Sequence, residues 1–229
     1  MTLPSPLYVI LDREAARGRD LLWLLEAVLA GGGRLVQLRE KHWPAAELYR
    51  VARVLGERCR RAGGLFIVND RADLALALAA DGLHVGQDDL PAAAARRLLA
   101  PGMILGVSTH DARQARRALA DGADYVAVGS IFPTGSKAGF HLVGPDLIRA
   151  LRPEIPVPLV AIGGITVGNV DQVIAAGADG VAVISAVCAA PDPEEATRRL
   201  LERIEAARSA DALARIMKRT ETLPDDRVN

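Results

Sequence analysis

The chain has 229 residues, half of them hydrophobic and 24% charged, which suits one large α/β domain or two small ones. Its formal net charge is zero, so nothing draws it generally to nucleic acid or acidic membranes, and any hold on phosphate must be local. Cys59 and Cys188 are too few for a disulfide framework and lack metal spacing, which points to a reducing cytoplasm.

The first segment, MTLPSPLYVIL, has no basic leader and only a short apolar run, so neither a signal peptide nor a membrane span is expected. Short runs rich in Val, Ile and Leu then recur: LYVIL (7–11), RLVQL (34–38), LFIV (65–68), GLHV (82–85), MILGV (103–107), DYVAV (124–128), VPLVAI (157–162) and GVAVI (180–184). This is how strands buried on both faces of a parallel sheet read. Between them lie segments with helical apolar spacing, at about 20–31, 44–62, 72–79, 91–99, 111–120, 144–152, 168–176 and 193–208. Asp20 and Asp111 stand at expected N-caps. DGADY (121–125) and AGADG (176–180) repeat one joint, a Gly closing a helix just before a strand.

Eight evenly spaced strand–helix pairs predict an α/β fold of the (β/α)8 TIM-barrel type. A doubly wound sheet fits less well, because no Gly-rich dinucleotide fingerprint follows the first strand. Residues 1–208 are expected as a single catalytic domain. Residues 209–229 carry a short helical patch and then TETLPDDRVN, expected as a solvated, partly disordered tail.

In such barrels the chemistry sits on loops after the strands. Those positions hold Gln37, Arg39 and Lys41; Asn69, Asp70 and Arg71; Gln87, Asp88 and Asp89; Ser108, Thr109 and His110; then 129-GSIFPTGSKAG-139; Gly163 and Gly164; and Ile184 and Ser185. Polar and charged residues crowd this end, which is the mark of an enzyme or a tight small-molecule binder. The GSIFPTGSKAG stretch is not a P-loop, since five residues separate Gly129 from Gly135 and Ser136 precedes Lys137. Only Lys41, Lys137 and Lys218 are lysines among 28 basic residues, so a lysine at a strand end stands out.

Asp70 and Asp89 follow neighbouring strands about 4.8 Å apart, close enough to share a cation such as Mg²⁺. Each also suits a helix N-cap, and spacing alone leaves both readings standing. Arg39, Lys41 and Lys137 converge on the same rim. A cation about 4 Å from a phosphate oxygen contributes roughly 4 kcal/mol at an effective dielectric near 20. The glycines after the seventh and eighth strands suit an anion approaching the main chain. His84, flanked by Leu83 and Val85, reads as a hydrogen-bonded core histidine. His110 keeps an open role, His42 and His141 read as loop residues, and both cysteines read as packing residues.

Together, QLREK (37–41), NDR (69–71), DGLHVGQDD (81–89), GVSTH (106–110), GADYVAVGSIFPTGSK (122–137), VAIGGI (160–165) and GADGVAVIS (177–185) resemble thiamine phosphate synthase, in order, from about residue 7 to 206. The resemblance implies a transferase of thiamine biosynthesis that joins a pyrimidinylmethyl diphosphate to a thiazole phosphate and releases pyrophosphate. In that family Mg²⁺ assists the departure of pyrophosphate, and the thiazole nitrogen captures the pyrimidine-stabilised cation.

Carried over residue by residue, Gln37, Arg39, Lys41 and Asn69 would bind the pyrimidine diphosphate. Asp70 and Asp89 would hold Mg²⁺, and Ser108 would contact the pyrimidine. Thr134, Gly135 and Ser136 would bind the thiazole phosphate with Gly164, Ile184 and Ser185, while Lys137 would reach the pyrophosphate. Lys137, Ser108, Arg39 and Lys41 are the catalytic candidates. The expected partners are small-molecule substrates, with no nucleic acid and no membrane, and the sequence leaves room for a homo-oligomer.

The chain departs from the family pattern in reading PTGSK where PTxTK is usual, and in the AGFHLVG that follows. A thiazole tautomerase of the same barrel family has His where Ser130 stands and lacks the full diphosphate equipment. A non-catalytic phosphate-metabolite sensor would not need the paired acids and three cations.

Overall fold

The computed structural model describes residues 3–134 and 142–221, the last eight of these as backbone only. Eight parallel strands close into a barrel in sequence order. Its first half runs β1 (Leu7–Asp12), α1 (Arg13–Ala16), α2 (Leu21–Ala30), β2 (Leu35–Arg39), α3 (Ala45–Arg61), β3 (Leu65–Asn69), α4 (Ala72–Ala77), β4 (Gly82–Val85) and α5 (Ala92–Leu98). The second half runs β5 (Ile104–Thr109), α6 (Ala112–Ala120), β6 (Tyr125–Val128), α7 (Gly144–Leu151), β7 (Leu159–Ile162), α8 (Val170–Ala175), β8 (Gly180–Val183), α9 (Ser185–Cys188) and α10 (Pro193–Glu221).

Every predicted strand run carries a strand. The two short helices α1 and α9 were not expected, because four residues are too few to show helical periodicity. Helix α10 runs on to Glu221, so the helical patch after residue 208 continues the last barrel helix. No described helix is long and apolar enough to cross a membrane.

The predicted caps form as read. Asp20 accepts the Trp23 N–H and Asp111 accepts the Gln114 N–H, each satisfying an amide the helix start leaves open. At the repeated joints, Asp124 accepts the N–H of Leu105 and Asp179 that of Leu159, at 2.8 and 2.7 Å. Asp81 does the same for Phe66 at 2.8 Å. An aspartate entering one strand thus satisfies an amide at the start of the strand before it, three times around the barrel floor.

Alternation divides the strand side chains between two apolar clusters. One lies between strands and helices, with Val9, Leu11, Val36, Leu38 and Phe66. The other fills the barrel, with Tyr8, Ile10, Leu35, Ile67, Tyr125 and Val160. The register pairs Ile10 with Gln37, Asn69 with His84, His84 with Gly106, and Gly106 with Tyr125. Gln37, Asn69, His84 and Ser108 therefore belong to the interior-facing set. Gly106 makes room for Tyr125, since a Cβ there would lie 2.0 Å from the phenol Cζ.

Candidate active site

The carboxyl ends of β2, β3 and β4 bring Lys41 together with the predicted acids Asp70 and Asp89. The Lys41 ammonium hydrogen-bonds the Asp70 carboxylate and stands 4.0 Å from Asp89. Asp70 does not cap α4. The N-cap there is Arg71, with no side-chain hydrogen bond. Asp70 instead sits at φ 58, a left-handed conformation uncommon for residues other than Gly and costly enough to need support from its surroundings. Asp89 does not cap α5 either, whose N-cap is Pro91. It accepts the Gly86 N–H at 2.8 Å. The two capping readings left open by the sequence thus give way to a shared carboxylate site.

The two acids divide their charge unequally. Burial, and the hydrogen bond it shares with Asp89, push the Asp70 carboxyl above its ordinary value despite Lys41. Burial also opposes ionisation of Asp89, but the Asp70 hydrogen bond, the Gly86 N–H and Lys41 outweigh it and hold Asp89 below its ordinary value. Two carboxylates in contact with a single lysine form a place where a divalent cation would relieve repulsion. Among the described residues no group of three or more His, Cys, Asp or Glu could hold a metal. The pair suits Mg²⁺, which takes one or two carboxylates and completes its shell with water or phosphate oxygens.

Arg39 ends β2 beside Asp12, its register partner across β1, and the two form an ion pair. Asp12 is 4% exposed and also accepts the Ala15 N–H at the start of α1. One buried carboxylate thus orients a candidate diphosphate ligand and caps a helix. Its importance was not read from the sequence, although it directly ends the first apolar run. Asn69 ends β3 beside His84.

Over β5 to β8 lies a cavity of about 240 Å³. Ser108, Thr134, Gly163, Gly164, Ile184 and Ser185 line it, with His110 and Ser130. The loops after β6 and β7 are packed together here: the Ile131 and Phe132 N–H groups donate to Ile162 and Gly163 carbonyls. Gly164, at φ 65, would place a Cβ 2.5 Å from the Pro133 carbonyl oxygen. Only glycine fits that turn. His110 donates through Nδ1 to the Gly129 carbonyl, so Nδ1 carries a proton. Gly135, Ser136 and Lys137 lie outside the described residues, as does His141.

Ser108 joins the halves. It lines the cavity, and its Oγ lies 2.8 Å from His84 Nε2. His84 is a core histidine as read, bonded on its other side to Tyr125 at 2.8 Å. Tyr125 meets Tyr8, and Tyr8 meets Gln37. The two tyrosines were passed over in the sequence because each sits inside an apolar run. A polar tip on an interior-facing strand position was the available signal.

The thiamine monophosphate synthase family model matches residues 7–187. The chain belongs to that family. A thiamine-phosphate synthase of Moorella thermoacetica is 53% identical over 204 residues, 88% of this chain and 97% of the relative. One of Chlorobium luteolum is 47% identical over 208 residues, 90% of this chain and 97% of the relative. Among solved structures, a thiamine phosphate pyrophosphorylase from Pyrococcus furiosus superposes with a TM-score of 0.81 at 38% identity, covering 88% of this chain and 96% of that one. The family thus spans the barrel from β1 through the start of α9, and both halves of the candidate site fall inside it.

Proposed function

We propose that this chain joins a 4-aminopyrimidine bearing a methyl diphosphate to a thiazole phosphate, forming thiamine phosphate and releasing pyrophosphate, with Mg²⁺ as the metal. It is a transferase of thiamine biosynthesis. The observation that supports the site assignment is the bond from Ser108, which lines the cavity over β5–β8, to His84 on β4, beside the strand ends that carry Asp70, Asp89 and Lys41.

The two halves divide the labour. Arg39, Lys41 and Asn69, with Lys137, bind the diphosphate, and Gln37 and Ser108 hold the pyrimidine. Thr134, Gly135, Ser136, Gly164, Ile184 and Ser185 hold the thiazole phosphate. The short helix α9 after β8 matches the place where barrels of this type commonly bind phosphate. Asp70 and Asp89 would hold Mg²⁺, which when bound neutralises charge on the leaving diphosphate.

The reaction breaks the bond between the pyrimidine methylene carbon and the diphosphate oxygen, whose electron pair leaves with pyrophosphate. The thiazole nitrogen then supplies the pair for the new carbon–nitrogen bond. The chain's own contribution is to place cations where charge grows on the departing oxygens and to hold two substrates in line. Removing one such electrostatic contact typically lowers turnover by about 10²–10³-fold.

The test is direct: purified protein, Mg²⁺ and both substrates, with thiamine phosphate and pyrophosphate measured together. Formation of both in equal amount is expected. Tight binding of the thiazole phosphate with no product would instead favour a non-catalytic sensor of that metabolite.

A further inference from the structure

Hydrogen bonds inside the barrel form a continuous chain of five side chains. Gln37 meets Tyr8 at 2.6 Å, Tyr8 meets Tyr125 at 3.0 Å, Tyr125 meets His84 at 2.8 Å, and His84 meets Ser108 at 2.8 Å. Its two ends are the groups assigned above to the pyrimidine. The three between them are buried.

The direction of the protons follows from the first member. The Gln37 contact is made through its amide nitrogen, which can only donate, so Tyr8 Oη accepts. Burial pushes both phenols above their ordinary value, so each keeps its one proton. Among the described residues, the other partner of Tyr8 Oη is Tyr125 Oη. Were Tyr125 to donate to Tyr8, the Tyr8 proton would be left in the barrel without an acceptor, an arrangement that buried groups avoid.

Tyr8 therefore donates to Tyr125, and Tyr125 donates to His84 Nδ1. A ring nitrogen that accepts carries no proton, so in the neutral imidazole the proton is on Nε2, which donates to Ser108 Oγ. The Ser108 hydroxyl proton is then available to the cavity that Ser108 lines. At the other end, the Gln37 amide oxygen is turned away from Tyr8.

We propose that Tyr8, Tyr125 and His84 are positioning residues that orient both ends together, setting Gln37 as acceptor and Ser108 as donor toward a 4-aminopyrimidine. This rests on the substrate reading given above. That edge offers an amino donor beside a ring-nitrogen acceptor, which matches the pair. A 4-oxo pyrimidine offers a carbonyl acceptor beside an N–H donor and meets like against like. To serve it, all five groups must reverse together, because neither end can turn alone without breaking the chain.

Tyr125→Phe removes one hydroxyl and keeps the ring that packs over Gly106. Cutting the chain frees each end to turn by itself. The Michaelis constant for the aminopyrimidine diphosphate should rise about tenfold, the cost of one weakened buried hydrogen-bond network, with that for the thiazole phosphate unchanged. The preference for the 4-amino over the 4-oxo diphosphate, measured as a ratio of kcat/KM, should fall at least about tenfold for the same reason. A folded variant that keeps the full wild-type preference overturns the proposal.

The second measurement needs no substrate. Nitrogen NMR of the wild-type chain labelled at histidine should show His84 protonated on Nε2, its signal assigned by loss in His84→Gln. Protonation on Nδ1 overturns the proposal. Wild-type protein that makes no thiamine phosphate overturns the substrate reading and this inference with it. Wild-type turnover with an unaltered preference in Tyr125→Phe overturns this inference alone.

Discussion

Lys41 lays its ammonium on the Asp70 carboxylate, across 29 residues of sequence, and also stands 4.0 Å from Asp89. One cation therefore neutralises the two acids that are proposed to hold Mg²⁺. Lysine and metal compete for the same charge in the resting site, and both are needed once the diphosphate arrives. Lys41→Met should then act in opposite senses. Mg²⁺ should bind the substrate-free variant more tightly, read by calorimetry. Turnover should fall by about 10²-fold, because one contact to the leaving group is gone. Weaker Mg²⁺ binding in the variant would show that Lys41 organises the acids and does not compete.

Asp89→Ala removes one of the paired carboxylates while leaving Lys41 and Asp70 in contact. Turnover should fall by two or more orders of magnitude, on the scale of a lost transition-state charge contact. Mg²⁺-dependent binding of the pyrimidine diphosphate should weaken in parallel, measured by titration with and without the metal. Full activity would remove Asp89 from the metal site.

Asp12→Asn tests the buried partner of Arg39. Asparagine can still accept the Ala15 N–H that caps α1, so the helix start survives. What is lost is the charge that holds the guanidinium. The Michaelis constant for the diphosphate should rise about tenfold, equivalent to ~1.4 kcal/mol, with little change for the thiazole phosphate. A lower constant for the diphosphate would mean that Asp12 restrains Arg39 from its ligand.

Gly106→Ala probes the packing that lets Tyr125 lie inside the barrel. The added Cβ would fall 2.0 Å from Tyr125 Cζ, so the ring or the strand must move. Overpacking of this kind costs about 1–3 kcal/mol or more. The thermal midpoint should drop by several degrees, at ~2–4 °C per kcal/mol for a chain of this size. An unchanged midpoint would contradict the interior placement of Tyr125.

Alkaline stability follows from the cysteines. Burial pushes the thiols of Cys59 and Cys188 up from 9.0 to about 11. An unfolded thiol loses its proton near 9.0 while the folded one keeps it to about 11. Between those values the unfolded chain binds fewer protons, so stability falls as pH rises. The contribution is fully present below 9.0. Urea midpoints from pH 8 to 11 should decline less steeply in Cys188→Ala than in the wild type. Identical slopes would show that Cys188 does not titrate differently on folding.

Much of the barrel was legible from local pattern. Short Val-, Ile- and Leu-rich runs alternating with helical segments announce parallel strands buried on both faces, and Asp20 and Asp111 mark helix starts through backbone chemistry that acts within three residues. The strand-end positions of Asp70, Asp89, Lys41 and Ser108 could also be read, because a barrel sends the carboxyl end of every strand to one rim. Helices α1 and α9 could not, being too short to carry a period. Spacing alone left open whether Asp70 and Asp89 would cap helices or face each other, because both uses fit the local sequence, and only the family resemblance pointed to a shared metal.

The sequence by itself determined the order of the eight strands and of the longer helices between them, the family, and which residue types stand at each strand end. Only the closed barrel decided their partners. Tyr8 and Tyr125 lie 117 residues apart, yet their hydroxyls meet at 3.0 Å. Asp12 finds Arg39, and Lys41 finds Asp70, only after β1, β2 and β3 are in register. Such pairs leave no periodic trace in the chain. They are set by closure and register, which place side chains from distant segments on one interior face, and burial there requires every polar tip to find a partner.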